Sequence, residues 1–173
     1  MGYTVIRSHE ICAGHRVVGH ESKCRHLHGH NYKFHFKVAP KRVESENYIP
    51  GSKGFSSEGK LDDVGRVIDF SVVKTTLCQW LEDNWDHKFL HWSRDNLIDA
   101  LKIAASRPSC PLEHEDHEHF LGSLVALPFN PTAENLAAYM VDVIGPQLLD
   151  QYGVELVECT IEETSKCHVN YCK

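Results

Sequence analysis

The run His15-Arg16-Val17-Val18-Gly19-His20-Glu21-Ser22-Lys23-Cys24-Arg25-His26-Leu27-His28-Gly29-His30-Asn31-Tyr32 carries five of the chain's thirteen histidines and one of its seven cysteines. It leads into Lys33-Phe34-His35-Phe36-Lys37-Val38, where apolar and polar residues alternate. That alternation is the period of a half-buried β-strand. Residues two apart on a strand share a face, so the imidazoles of His28 and His30 converge on one side. Gly29 between them lets another group approach the backbone closely. His15 ends the apolar-leaning first segment and is the candidate third ligand. Three neutral imidazoles with one position left open are the pattern of a catalytic zinc ion, whereas structural zinc sites are closed and rich in sulfur. Cys24, four residues before His28, stands beside such a metal without having to bind it.

The rest of the chain sorts around this stretch. Tyr3 to Ile11 reads as a first strand and His30 to Ala39 as the second. Pro40 to Leu61, with Pro50-Gly51 and Glu58-Gly59, reads as a loop or hairpin extension. Asp69-Phe70-Ser71 starts a helix that runs to Asn84, with Phe70, Val73, Leu77, Trp80 and Leu81 at helical spacing. Asn96 to Ala105 reads as a short helix, ended by Arg107-Pro108-Ser109-Cys110-Pro111. Glu113-His114-Glu115-Asp116-His117-Glu118-His119 reads as a solvated face rather than a metal site. Thr132 caps a second long helix, whose stripe is Leu136, Tyr139, Met140, Val143 and Ile144. Val154 to Thr164 and His168 to Cys172 are two further strands. The order β-β-α-α-β-β favours an α+β protein, an antiparallel sheet with its helices on one face.

Length and composition set the class. With 173 residues the chain reads as one domain, 1–173, able to bury a core without staples. A formal net charge of −6 excludes a general nucleic-acid binder, which needs a basic face. Seven scattered cysteines with no C-x-x-C pair point to a reduced, cytoplasmic setting. No run approaches the roughly 18–20 apolar residues of a membrane span, and Met1-Gly2-Tyr3-Thr4 does not open a signal peptide.

The chemistry available is acid–base work at a Lewis acid. A thiolate beside a cation removes protons. Asp86-His87 offers a second acid–base pair, in which Asp86 orients His87 through a turn. Glu162-Glu163-Thr164 ends an apolar strand and places one carboxylate inward, where it would accept two N–H bonds from a guanidine-like edge.

The motifs His15, Cys24-x-x-x-His28-Gly29-His30-Asn31-Tyr32, Val67-Ile68-Asp69-Phe70, Trp85-Asp86-His87-Lys88-Phe89-Leu90, Pro131-Thr132-Ala133-Glu134-Asn135-Leu136-Ala137 and Glu163-Thr164 resemble the 6-pyruvoyltetrahydropterin synthase and 6-carboxytetrahydropterin synthase family. The segments at about 41–60 and 93–126 lie outside the resemblance and look like insertions. The resemblance implies a T-fold: a four-stranded antiparallel sheet with two helices on one face. It implies trimers that stack into a homohexamer, with active sites between subunits. It also implies zinc (Zn2+) on His15, His28 and His30, Cys24 as general base, and Asp86 and His87 as proton-relay partners. Glu163 would hold a pterin, with Thr164 and Glu134 nearby, and the family substrate is 7,8-dihydroneopterin triphosphate.

The four-residue step from Cys24 to His28 resembles the carboxytetrahydropterin branch of queuosine and 7-deazaguanine biosynthesis. That branch is a zinc-dependent lyase that releases acetaldehyde and triphosphate. The alternatives are a 6-pyruvoyltetrahydropterin synthase or a non-catalytic pterin-binding T-fold protein. Trp85 and His91 depart from the family pattern. Arg16, Lys23, Arg25 and Lys88 are the expected basic patch for the triphosphate.

Overall fold

The computed structural model describes residues 2–41 and 61–173. The loop expected at 40–61 therefore lies almost wholly outside the described residues. Strand β1 (Val5–His15) pairs antiparallel with β2 (His28–Pro40) in a register that sets His15 opposite His28 and Ala13 opposite His30. β2 pairs antiparallel with β5 (Val154–Thr164), and β5 with β6 (Cys167–Cys172). These four strands are the expected antiparallel sheet.

The sheet is wider than expected. β3 (Phe89–Trp92) and β4 (Leu124–Leu127) extend it in parallel beyond β1, giving the order β4-β3-β1-β2-β5-β6. A parallel pair needs a crossover connection, and the segment expected as an insertion at 93–126 supplies it. That segment folds as two short helices, α2 (Asn96–Ala105) and α3 (His114–Gly122), followed by β4. Within α3 the histidines and acids are mainly exposed, as a solvated face should be.

Alternation builds the core. Tyr32, Phe34, Phe36 and Val38 on β2 are fully buried, while Lys33, His35 and Lys37 between them face outward. Each buried aromatic contributes about 1.5–3 kcal/mol relative to exposure. Two long helices cover this inner face. Helix α1 runs continuously through Phe70–Val73, Lys74–Cys78 and Gln79–Asn84, with a π-helical turn in its middle. Asp69 caps it by accepting from the Ser71 amide. Val73, Leu77 and Leu81 carry its packing, whereas Phe70, in the first turn, stays exposed. Helix α4 runs through Ala133–Tyr139, Met140–Ile144 and Gly145–Leu149, capped by the Thr132 hydroxyl, which accepts from Asn135 N. Its Leu136, Met140 and Ile144 join the α1 and sheet residues in one cluster. Trp85 is buried among Phe34, Trp80 and Tyr139.

One irregularity decides the site. Opposite Lys37 and Val38, β5 carries an extra residue, so that Lys37 faces Glu158 and Val38 faces Leu156. A bulge of this kind shifts side-chain parity by one. The buried set on β5 changes from Val154 and Leu156 to Cys159 and Ile161. Beyond it Glu163, not Glu162, continues on the inner face.

Candidate metal centre and acid–base site

β1 ends where β2 begins, so the last inward position of one strand meets the first of the other. His15, His28 and His30 present ligand nitrogens that all lie within 4.8 Å of one another. The ring centroids are 4.5 Å (His15–His28), 5.1 Å (His15–His30) and 5.0 Å (His28–His30) apart. Gly29 sits where a Cβ would meet the Ala13 carbonyl oxygen at 3.0 Å, so the close approach of the two strands favours a glycine there.

Tautomers are set by the backbone. His15 Nδ1 lies 2.7 Å from Pro131 O, and His28 Nδ1 lies 2.7 Å from His26 O. A carbonyl only accepts, so each Nδ1 carries the proton and each Nε2 keeps its lone pair. The Nε2 of His15 is buried with no hydrogen-bond partner among the described residues. A bare nitrogen of this kind is what a metal ligand needs, with its other nitrogen tied to a carbonyl. Burial lowers the His15 pKa to about 4, assisted by His28 and His30 and opposed by the bond to Pro131. Burial also lowers His30, against the pull of the Glu163 carboxylate. Neutral imidazoles are the form that binds a divalent cation, and the three residues fit such an ion.

The histidines stand between two clefts. The first, about 350 Å³, is bordered by His15, His20, Cys24, Thr132, Glu134 and Glu163. Cys24 is half-buried in a short 3-10 turn, Lys23–Arg25. Below it lies Tyr32, fully buried; burial first, and the neighbouring Glu163 carboxylate second, push its phenol far above the ordinary range. Glu162 points the other way, bonded to His35 Nε2 at 2.6 Å. Thr164 is exposed at the end of β5, where its hydroxyl accepts from Lys166 N at 3.3 Å.

His87 borders the second cleft, about 590 Å³, which also touches Cys12, Gly29 and Asn31 as well as His28 and His30. Its pair with Asp86 is formed as expected: His87 Nδ1 and Asp86 Oδ2 are 2.7 Å apart. Asp86 Oδ1 accepts from Cys12 N, and His87 N donates to Cys12 O at 2.7 Å, which pins the turn to β1. His87 is 79% exposed, and it borders the second cleft rather than the one bordered by Cys24.

Two residues of the expected basic patch have other partners. Arg16 Nε lies 3.3 Å from Asp95 Oδ2, with Asp95 only 2% exposed. Lys88 Nζ donates to Gly122 O at 2.8 Å. Lys23 and Arg25 are exposed beside Cys24. The motif reading missed Asn130. Its side chain makes both hydrogen bonds with the Val18 backbone, at 2.9 and 2.8 Å, and so holds the loop before Cys24. The asparagine preceding Pro131 was visible in the sequence, but its partner was not.

Fold and site together define a class: a T-fold protein with a three-histidine centre beside a cysteine and a carboxylate. Among solved structures, an uncharacterised protein of Wolinella succinogenes aligns with a TM-score of 0.76 at 20% identity, covering 100% of this chain and 99% of that one. The 6-pyruvoyl tetrahydropterin synthase of Caenorhabditis elegans aligns with a TM-score of 0.57 at 22% identity, covering 99% and 95%. The family model for 6-pyruvoyl tetrahydropterin synthase matches residues 4–173, and the chain belongs to that family. It is 29% identical over 160 residues to a 6-carboxy-5,6,7,8-tetrahydropterin synthase of Rickettsia bellii, covering 92% of this chain and 93% of that one. It is 28% identical over 158 residues to the enzyme of that name from Rickettsia typhi, covering 91% of each.

Proposed function

We propose that this protein is a zinc-dependent 6-carboxy-5,6,7,8-tetrahydropterin synthase. It converts 7,8-dihydroneopterin triphosphate to 6-carboxytetrahydropterin, releasing acetaldehyde and triphosphate, in the biosynthesis of queuosine and related 7-deazaguanines. The observation that carries this reading is the convergence of three imidazoles at the edge of a cleft shared by Cys24 and Glu163. The similarity to 6-carboxytetrahydropterin synthases over more than nine-tenths of the chain supports it.

His15, His28 and His30 would hold the zinc, which when bound supplies Lewis-acid polarisation of side-chain oxygens. Glu163 accepts the N–H edge of the pterin as a bidentate acceptor, an arrangement that fixes both position and orientation. Cys24 takes the proton from the activated side chain. Asp86 holds His87 in the tautomer whose Nε2 exchanges a proton with the substrate. Cys24 and His87 border different clefts of one chain. In this reading the relay pair enters from a neighbouring copy, in a homohexamer built as a dimer of trimers. A working place in the reducing cytoplasm agrees with seven free cysteines. No described helix is long and apolar enough to cross a membrane.

The test is mass spectrometry of the products from dihydroneopterin triphosphate, with zinc-loaded wild type beside Cys24→Ala. Carboxytetrahydropterin and acetaldehyde, lost in the variant, are the expected result. A pyruvoyl product would move the protein to the tetrahydrobiopterin branch. Binding without turnover would make it a pterin-binding protein.

A further inference from the structure

We infer that His20 contacts the substrate: it is a neutral imidazole whose Nε2–H donates to an anionic oxygen of the phosphorylated side chain. The inference rests on the substrate reading above and adds a residue that none of its motifs contains. His20 borders the same cleft as Cys24, His15 and Glu163.

Its proton is placed by the backbone. The Ser22 amide donates to His20 Nδ1 at 2.9 Å. An acceptor nitrogen in a neutral imidazole is the one without the proton, so Nε2 carries it. This is the reverse of His15 and His28, whose Nδ1 atoms donate to carbonyls. His20 is thus built as a donor, whereas the other two are built as ligands. Adding a proton at Nδ1 would break the Ser22 bond and set two N–H groups against each other. The ring therefore acts as a hydrogen-bond donor through Nε2–H.

The ring is also held in advance of any ligand. His20 N donates to Val17 O at 3.3 Å, closing a turn whose third residue, Gly19, has φ +85°. That value suits glycine and disfavours other residues. Val17 N donates to Cys24 O at 2.8 Å, which ties the two ends of the loop together. The Asn130 side chain clamps Val18 from outside, as described above. A donor fixed in this way loses little entropy on binding.

Charge explains what it would bind. The carboxylates of Glu134 and Glu163 and the sulfur of Cys24 line the cleft as acceptors. An anionic side chain in that cleft needs donors. His20 lies on the loop that carries the exposed Lys23 and Arg25.

The experiment compares zinc-loaded wild type, His20→Phe and His20→Gln. Three quantities are read: KM and kcat for dihydroneopterin triphosphate, the Kd for inorganic tripolyphosphate by calorimetry, and the His20 tautomer by 15N NMR. A hydrogen bond to a charged group is worth about 1.5–3 kcal/mol, or roughly a 10- to 100-fold change in affinity. Expected are an Nε2–H tautomer, a Phe variant with KM and Kd raised at least about 10-fold at unchanged zinc content and Tm, and recovery of most of the affinity in the Gln variant. An Nδ1–H tautomer overturns the inference. So does a Phe variant that binds tripolyphosphate as wild type does, a wild type that does not bind it, or a Gln variant that fails to recover. If wild type turns over no dihydroneopterin triphosphate but His20→Phe still loses tripolyphosphate binding, the substrate assignment fails and the role of His20 stands.

Discussion

Replacing Arg16 with Met should destabilise the protein far more than a surface substitution would. Arg16 follows the ligand His15 directly, and its guanidinium is the partner of Asp95 at 3.3 Å. Their side chains are only 14% and 2% exposed. Removing one member of a buried pair leaves the other charge uncompensated and costs about 3–5 kcal/mol. Arg16 keeps some solvent access, which places Arg16→Met near about 3 kcal/mol, the lower end of that range. Asp95→Asn should cost less, about 1–2 kcal/mol, because the amide oxygen can still cap α2 and the arginine can turn toward water. In Asp95 that cap is Oδ1 accepting from Leu97 N at 3.0 Å. The double variant buries no charge and should lose only about 1 kcal/mol, a coupling of about 3–4 kcal/mol. Urea unfolding of the zinc-loaded proteins, with the slopes compared to verify a common unfolded state, gives all four corners of the cycle. Additivity within about 0.5 kcal/mol would refute the reasoning, since the two groups would then not interact. Chelator competition on the same variants should show weaker metal retention in Arg16→Met, because the anchor of the β1 end is lost beside His15.

Glu163→Gln should raise KM for the pterin substrate by at least about 10-fold, since hydrogen bonds to a charged group are worth about 1.5–3 kcal/mol each; Glu162→Gln, on the outward face, should leave KM within twofold of wild type by about 0.4 kcal/mol. Burial raises the Asp86 carboxyl, but the Cys12 amide and His87 outweigh it and hold the group below its ordinary value. A carboxyl depressed on folding contributes stability that is present above about pH 3.9 and lost as pH falls through the folded value; Asp86→Asn should therefore lose less Tm than wild type between pH 5 and pH 3, by a scan at each about 0.5 pH step. Mixing unfolded Cys24→Ala and His87→Ala chains and refolding them together should restore about a quarter of wild-type turnover if each site draws Cys24 and His87 from different copies. Zero recovery would place both residues in one chain's site.

Much of this arrangement was legible in the sequence, for local reasons. The His28-Gly29-His30 alternation, the Asp69 and Thr132 caps and the helical stripes each depend on neighbours within a few residues. The missing parts depend on partners far along the chain. Arg16 reads as a phosphate ligand until Asp95, on the far side of β3, is seen to bury it. The choice between Glu162 and Glu163 turns on a single extra residue in β5, and bulges leave little trace in hydrophobic periodicity. β3 and β4 are four residues each, too short for alternation to declare them, and their parallel pairing needs α2 and α3 as the crossover. The cleft that holds His20 is made by a loop whose clamp, Asn130, comes from the other end of the chain.

The backbone at His87 gives the relay pair its own test. His87 has φ +54°, and it is the non-glycine residue among those described that sits in the left-handed region. That conformation costs an ordinary L-residue about 1–2 kcal/mol. It is maintained because both sides of the turn are tied to Cys12, Asp86 through its side chain and His87 through its amide. Strain held at a turn that carries an acid–base pair is the kind retained where a side chain must point in one direction. His87→Gly and His87→Ala both remove the imidazole and its bond to Asp86, so both should be inactive. They differ in the Cβ alone. Elsewhere in a strand or helix alanine is the more stabilising residue; here glycine should be, by about 1 kcal/mol in urea unfolding. If the alanine variant is the more stable, the turn does not store strain, and the direction of His87 must be explained by its hydrogen bond to Asp86 alone.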